Sequence, residues 1–348
     1  MSEKVVYFLG AGFSAPFGLP VVSNFISLAK DQHLLKRSGS PTFERVFDKL
    51  NELARIKNSL SSDLSNIEEV LSILEMDAFL GSSESRADFQ DFIKSVIAFY
   101  TPQLKPYGRG LPGNWEEFVF GRGRLVNGLG LFVAGLHRLV ITLNEADRVP
   151  SVARDVSADF SYDVVTANYD LLLESVVQLI NSSMYVEKPL EFRRLPSDAP
   201  DAPVLAKLHG SVDGGEIVPP TWSKGAHQTI APRWQLAREA LSRANHLRFI
   251  GYSLPEADAY VRYLLKFSML SSSHLKSIDV LCLDPTSQVR ARFETFVSLS
   301  PFRFANANAS QFFHHLYGSW EANDRRHTVP LWRLLEASHS AAMTGHLI

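Results

Sequence analysis

The chain has 348 residues, of which 45% are hydrophobic, and its formal net charge is −2. This composition allows a substantial core, and the near-neutral charge argues against binding of nucleic acid through bulk electrostatics. The single cysteine, Cys282, excludes an intrachain disulfide framework and a cysteine-rich zinc site. The first ten residues lack a signal-peptide pattern and no apolar run approaches about 18 residues, so we expect a soluble, cytoplasmic protein.

The predicted elements begin with a strand, a glycine turn and a helix. The segment "KVVYFLG" is short, continuous and apolar, which is typical of a buried strand, and "VVSNFISLAKDQ" predicts a helix. Between them, Gly10, Gly12 and Ala15 fit the pattern G-x-G-x-x-G/A of turns that hold phosphate on backbone N–H groups. A dinucleotide-binding dehydrogenase would continue with a second strand that ends in an acidic residue. This chain predicts helix there, which disfavours a simple dehydrogenase.

Residues 41–154 predict an inserted helical module. The segments "DLSNIEEVLSILEMDAFL" and "DFQDFIKSVIAFY" place apolar residues at the i, i+3 and i+7 spacing of a helix with one buried face. The segment "RLVNGLGLFVAGLHRLVITL" is apolar around most of its circumference, which predicts a buried helix despite its glycines.

Strand and helix patterns then alternate up to about residue 320. This alternation predicts an α/β fold, a Rossmann-like and mostly parallel sheet with helices on both faces. We therefore expect a Rossmann-like domain made of residues 1–40 and 155–320, with the helical module at 41–154 inserted into it. Residues 321–348 are expected to form a C-terminal tail.

Polar groups follow several of the predicted parallel strands. They are Asn168 and Asp170 in "VVTANYD", His209, Gly210 and Ser211 in "AKLHGS", and Gly251 and Ser253 in "FIGYSLPEAD". A single Asn or His at a strand end is usually a cap or a satisfied core group. Because open α/β sheets bind ligands at the carboxyl ends of their strands, several such groups at one edge favour a binding site.

Four segments together resemble the sirtuin-like superfamily. In chain order they are "GAGFSAPFGLP", "TANYD", "KLHGS" and "GYSLPEADAYVRYLL", and they are most similar to the bacterial branch that degrades NAD in antiphage defence. The resemblance covers residues 4–32 and about 163–300. Deacylating sirtuins carry a zinc ribbon of two C-x-x-C pairs and an Asp-Phe-Arg group after the glycine turn, and this chain has neither. The resemblance therefore implies that NAD+ is the substrate, that no zinc is bound and that free NAD+ is hydrolysed.

The resemblance also implies a role for each candidate residue. Asn168 would hold the ribose hydroxyls or the attacking water, and His209 would accept a proton at a pH near its ordinary pKa. The residues expected to contact the dinucleotide are Gly10, Ala11, Gly12, Ser14, Asp170, Gly210, Ser211, Gly251, Ser253 and Asp284. Asp284 is expected at the adenosine ribose, and capping of the helix near Pro285 is an equally good interpretation.

Three functions remain open from the sequence. The leading one is an NAD+ glycohydrolase that releases nicotinamide and ADP-ribose. The others are a catalytically silent sensor of NAD or ADP-ribose and a protein ADP-ribosyltransferase. A partner is expected because depletion of NAD+ must be controlled: the resemblance implies a homo-oligomer or a HerA-family DNA-translocating ATPase. No membrane and no direct nucleic-acid contact are expected.

Overall fold

A computed structural model describes residues 2–36, 41–80, 84–106, 115–143, 150–198, 200–214, 217–218, 229–270, 272–323 and 329–345. Its strands are β1 (Glu3–Leu9), β2 (Leu139–Leu143), β3 (Pro150–Arg154), β4 (Phe160–Thr166), β5 (Tyr185–Val186), β6 (Leu205–Lys207), β7 (His246–Ile250), β8 (Ser277–Leu281) and β9 (Phe302–Ala305). Its helices are α1 (Ala11–Ser14), α2 (Phe25–Lys36), α3 (Pro41–Leu53), α4 (Ile67–Phe79), α5 (Glu84–Tyr100), α6 (Trp115–Phe120), α7 (Arg124–Leu136), α8 (Leu172–Ser183), α9 (Ala231–Ser242), α10 (Ala259–Met269), α11 (Gln288–Phe296), α12 (Ala309–Ala322) and α13 (Leu331–Met343).

The main sheet is parallel and confirms the predicted Rossmann-like α/β fold. Its strand order is β6-β4-β1-β7-β8-β9, which corresponds to 3-2-1-4-5-6 when these six strands are numbered along the chain. The chain moves outward from β1 through β4 to β6 and then returns to β7 on the other side of β1. The order therefore reverses between β1 and β7, and a reversal of this kind opens a crevice at the carboxyl ends of the strands.

Both faces of the sheet are covered, which explains why β1 is apolar from Val5 to Leu9. Along β1, Val5, Tyr7 and Leu9 point into a core shared with α7, α8, α12 and α13. Val6 and Phe8 point into a second core shared with α9, α10 and α11. Side chains of a strand alternate between its two faces, so a strand buried on both sides is mainly apolar. The charged exception in β7, Arg248, is paired with Glu336.

Helices α2 to α5 pack around a third core. It contains residues of all four helices and also Leu19 and Ile217. The regular apolar spacing of two segments predicted α4 and α5, and the segment "VVSNFISLAKDQ" predicted α2. We name α2 to α5 the helical unit.

The remaining part of the predicted helical module packs elsewhere. Helix α7 is buried from Asn127 to Leu136, as its composition predicts, and it lies in the first core. The end of the same apolar segment is strand β2, which pairs with β3 in a small second sheet. That strand corrects the prediction of one long helix, because Arg138 has a positive φ of 56° that ends the helix.

The C-terminal residues contribute to the first core through α13. Leu331, Leu335 and Ala342 are buried there, and Glu336 Oε1 accepts hydrogen bonds from Arg248 in β7 and Tyr162 in β4. Within the described ranges, no helix is both long enough and apolar enough to cross a membrane.

Candidate active site

A cavity of about 960 Å³ lies at the carboxyl ends of β1, β4, β7 and β8. Its size is at the upper end of the range of sites for small molecules and cofactors, roughly 300–1,000 Å³. The predicted site residues that line it are Ala11, Gly12, Ser14, Asn168, Asp170, His209, Gly251 and Ser253. Four predicted residues do not line it, namely Gly10, Gly210, Ser211 and Asp284. The cavity occupies the crevice predicted by the strand order.

One side of the cavity is a polar network of Ser14, Asn168 and Asp170. The Asn168 Nδ2 donates to the Gly10 carbonyl oxygen over 2.9 Å and to Ser14 Oγ over 3.1 Å. Ser14 Oγ in turn donates to Asp170 Oδ2 over 2.8 Å. Both N–H bonds of the amide are therefore directed into the protein. The Asn168 Oδ1 accepts no hydrogen bond within the described part of the chain, and it remains as an acceptor for a hydroxyl or a water.

A histidine and a carboxylate lie close together in the same cavity. His209 is 2% exposed, and its Nε2 lies 3.6 Å from Asp258 Oδ2. Tyr252 donates its hydroxyl to the same Oδ2 over 3.0 Å. Burial and the neighbouring Asp258 raise the pKa of Tyr252 well above its ordinary value, so this hydroxyl stays protonated and keeps donating. At this distance the carboxylate can interact electrostatically with a positive charge that forms on the imidazole during a reaction.

The glycines of the turn allow two loops to approach closely. A Cβ on Gly10 would lie 2.5 Å from the Gly251 carbonyl oxygen, and a Cβ on Gly251 would lie 2.2 Å from the Phe13 nitrogen. The N–H of Gly10 donates to Ile250, and that of Gly12 donates to Gly251 over 2.9 Å. These two N–H groups thus have acceptors inside the protein, in place of the predicted phosphate. Ala11 begins α1, and a helix has no internal acceptor for its first N–H.

The residues outside the cavity have structural contacts. Gly210 adopts a φ of +89°, in the region that favours glycine, and Ser211 Oγ accepts from Lys207 Nζ over 3.2 Å. Asp284 Oδ2 accepts from the backbone N–H of Arg290 in α11 over 2.8 Å. Asp284 thus binds the first turn of α11 from outside the helix, whose N-cap residue is Ser287, and its Oδ1 has no hydrogen-bond partner within the described residues.

The opposite side of the cavity comes from the helical unit and is largely apolar. Leu71 of α4 and Ile93 and Ile97 of α5 line it. Among the cavity residues that the structure describes, none is a lysine or an arginine, and the carboxylates are Asp63, Glu68, Asp170 and Asp258. The charged side chains among these described residues therefore favour a positive group on a ligand. Burial raises the pKa of Cys282, which also lines the cavity, to about 11, so its thiol is protonated at neutral pH.

Two residues of this site were missed from the sequence. Tyr252 and Asp258 both lie in the segment "GYSLPEAD", directly after β7. The sequence feature that could have indicated Asp258 is its position as an acidic residue shortly after a predicted strand. Its contact with His209, however, depends on where β6 and β7 lie in the folded sheet. Only the folded sheet brings that pair together.

Comparison with known proteins gives one family relationship. Residues 163–302 match a family model described as a SIR2-like domain. No curated protein matches the chain. The matched range contains Asn168, His209 and Asp258, the polar side chains on which the site depends. Over these residues the chain is similar to SIR2-like domains, which supports a sirtuin-like relationship and a broad link to NAD-dependent chemistry.

Proposed function

We propose that this protein is an NAD+ glycohydrolase, which cleaves the bond between nicotinamide and ribose and releases nicotinamide and ADP-ribose. The observation that carries the proposal is the arrangement of Asn168 and His209 on one cavity at the crevice of a Rossmann-like sheet. The SIR2-like match over residues 163–302 supports NAD+ as the substrate. A sensor that only binds NAD needs no buried histidine beside a carboxylate.

The proposed reaction is a substitution of nicotinamide by water at the ribose carbon C1′. The C–N bond breaks and its electron pair leaves with nicotinamide, which becomes neutral, while positive charge develops on the ribose. Water then forms the new C–O bond and gives up a proton. Asn168 Oδ1 would hold the water or a ribose hydroxyl, and His209 would accept the proton. Asp258 would stabilise the imidazolium that results.

The charges of the cavity support an oxidised nicotinamide ring as the leaving group. That ring carries a positive charge in NAD+, and the cavity offers carboxylates without a lysine or arginine among its described residues. Electrostatic stabilisation of developing charge is a major source of catalysis in a site with little water. The diphosphate would be held by the N–H of Ala11 and the hydroxyl of Ser253, and Asp170 would orient Ser14 and Asn168.

We extend the proposal to the biological role as a NAD+-depleting effector in antiphage defence. Uncontrolled loss of NAD+ is toxic, so the activity needs control, and the proposed means are a homo-oligomer or a HerA-family DNA-translocating ATPase. NAD+ is consumed as the substrate, and no resident cofactor or zinc is proposed. These statements rest on the resemblance of the four sequence segments to the bacterial, NAD-degrading branch of the sirtuin-like superfamily.

The test is to incubate the purified protein with NAD+ and to measure nicotinamide, ADP-ribose and modified protein over time. Equal amounts of nicotinamide and free ADP-ribose support hydrolysis, while ADP-ribose attached to protein identifies a transferase. Binding without release of nicotinamide, both alone and with a candidate ATPase partner, identifies a sensor. His209→Ala and Asn168→Ala should each lower the rate by ~10²-fold or more. A folded His209→Ala variant with an unchanged rate would remove His209 from the mechanism.

A further inference from the structure

A buried lysine joins the two loops that carry Asn168 and His209. Lys207 is the last residue of β6 and is 3% exposed. It lies two residues before His209 and does not line the cavity. A charge this deeply buried is costly unless it is paired and hydrogen-bonded, so its contacts indicate what it stabilises.

Three acceptors surround the ammonium group of Lys207. Its Nζ contacts the backbone carbonyl oxygen of Asp170 and donates to Ser211 Oγ over 3.2 Å. It also lies 2.7 Å from Glu174 Oε1, in an ion pair that is almost completely buried. The Glu174 carboxylate therefore balances the positive charge of Lys207, and the hydrogen bonds of the ammonium group go to Asp170 and Ser211.

The acceptors belong to three different segments of the site. Asp170 is in the loop after β4, two residues beyond Asn168, and Ser211 is two residues beyond His209. Glu174 is in the first turn of α8. Lys207 therefore contacts both loops that carry the proposed catalytic groups, and an apolar side chain of similar length has no donor for either contact.

We propose that Lys207 is a positioning residue, which sets the separation between Asn168 and His209 by holding Asp170 and Ser211. The inference rests on the function proposed above. It predicts that loss of the ammonium group lowers kcat and leaves binding of the product nearly unchanged. Small displacements of catalytic groups have large effects, and a shift of 1 Å can cost ~10²-fold in rate.

A purely structural role must be separated from positioning. Removing Lys207 alone would leave Glu174 buried without its partner, and breaking a buried pair in this way is strongly destabilising. Replacing both members of such a pair by apolar residues is often neutral for stability. The informative variant is therefore K207M/E174L. Its matched control is K4M/D163N, because Lys4 and Asp163 form a 2.9 Å ion pair in the same sheet, outside the cavity.

The experiment compares wild type, K207M/E174L and K4M/D163N by melting temperature, ADP-ribose affinity and kcat for NAD+. We expect K207M/E174L to fold and to bind ADP-ribose with an affinity within about 3-fold of wild type, while its kcat falls by ~10²-fold. The control K4M/D163N should keep the wild-type kcat. The imidazole NMR signal of His209, identified by its loss in His209→Ala, should move in K207M/E174L and not in the control. An unchanged kcat and an unchanged His209 signal in folded K207M/E174L overturn the proposal.

Two further results keep the inference separate from the proposed function. If wild type releases no nicotinamide, both alone and with the candidate ATPase partner, the proposed function fails, and the His209 signal alone decides whether Lys207 positions that residue. If K207M/E174L does not fold, Ser211→Ala is the alternative variant. It removes one hydrogen-bond acceptor of Lys207 and keeps the ion pair between Lys207 and Glu174. We expect Ser211→Ala to lower kcat by about 3- to 10-fold with unchanged ADP-ribose affinity. An unchanged kcat in Ser211→Ala overturns the proposal in that case.

Discussion

His209 and Asp258 face each other inside the cavity, with the imidazole Nε2 3.6 Å from the carboxylate Oδ2, and both side chains are almost completely buried. They come from loops after different strands, β6 and β7, which lie on opposite sides of β1 and β4 in the sheet. The Tyr252 hydroxyl donates a hydrogen bond to the same Oδ2. The pair combines a group that can accept a proton with a group that stabilises the resulting charge.

Asp258→Asn should lower NAD+ hydrolysis by about 10-fold or more, because the neutral amide no longer stabilises a protonated His209. The measurement is the rate of nicotinamide release, together with the melting temperature. Tyr252→Phe is the matched control: it keeps the carboxylate and removes only one hydrogen bond to it, so a smaller decrease is expected. A normally folded Asp258→Asn protein with the wild-type rate would show that the carboxylate is not used.

Gly251→Ala should destabilise the protein by about 1–3 kcal/mol, the usual cost of overpacking a close contact. The added Cβ would lie 2.2 Å from the Phe13 nitrogen, and the residue has a φ of +64°, which side chains rarely adopt. Urea unfolding measures the effect. Gly318→Ala in α12 has no atom within 4 Å of the new Cβ and should stabilise the helix by roughly 0.5–1 kcal/mol. Equal effects of the two substitutions would contradict this account.

Glu336→Ala should cost about 3–5 kcal/mol of unfolding free energy, because it leaves the Arg248 guanidinium buried without its partner. The pair is joined by hydrogen bonds of 2.7 and 2.6 Å and connects α13 to β7. The control is Glu294→Ala, which breaks an exposed pair with Arg290 in α11. Surface pairs of this kind contribute about 0–1 kcal/mol. Similar losses for both variants, measured by urea unfolding, would show that α13 is not held by this ion pair.

Unfolding free energy should fall as the pH is lowered from 6.5 towards 3, and His137 should be one cause. Burial, followed by the charges of Arg154 and Arg138, lowers the pKa of His137 to about 3 from an ordinary value of 6.5. Between these values the unfolded chain binds a proton that the folded protein does not bind. Stability therefore rises with pH in this window, by up to about 1.4 kcal/mol per pH unit for one group.

His137→Leu tests this pH dependence. The substitution removes the titrating group from its site beside Phe192, where neither ring nitrogen has a hydrogen-bond partner within the described residues. Urea unfolding at pH 7 and pH 4 measures the two free energies for each protein. The difference between the two pH values should be smaller in His137→Leu than in wild type. Equal differences would mean that His137 contributes nothing to the acid sensitivity.

The sequence by itself determined the type of fold and eight of the residues that line the cavity. A continuous apolar strand such as β1 indicates a sheet that is covered on both faces. Together with the alternation of strand and helix patterns, it predicts the α/β class from local sequence alone. Asn168, His209 and Gly251 were predicted because residues directly after parallel strands lie at one edge of the sheet whatever its detailed order.

The tertiary structure alone decided which of those residues meet and how each is used. Strand order brings Asp258 beside His209 and lets Lys207 contact Asp170, and no local pattern encodes contacts between segments so far apart in sequence. The fold also places carbonyl acceptors of Ile250 and Gly251 next to the N–H groups of Gly10 and Gly12. Hydrophobic periodicity indicates which side of a helix or strand is buried. Which polar side chains contact each other depends instead on where loops that are distant in sequence lie in the folded protein.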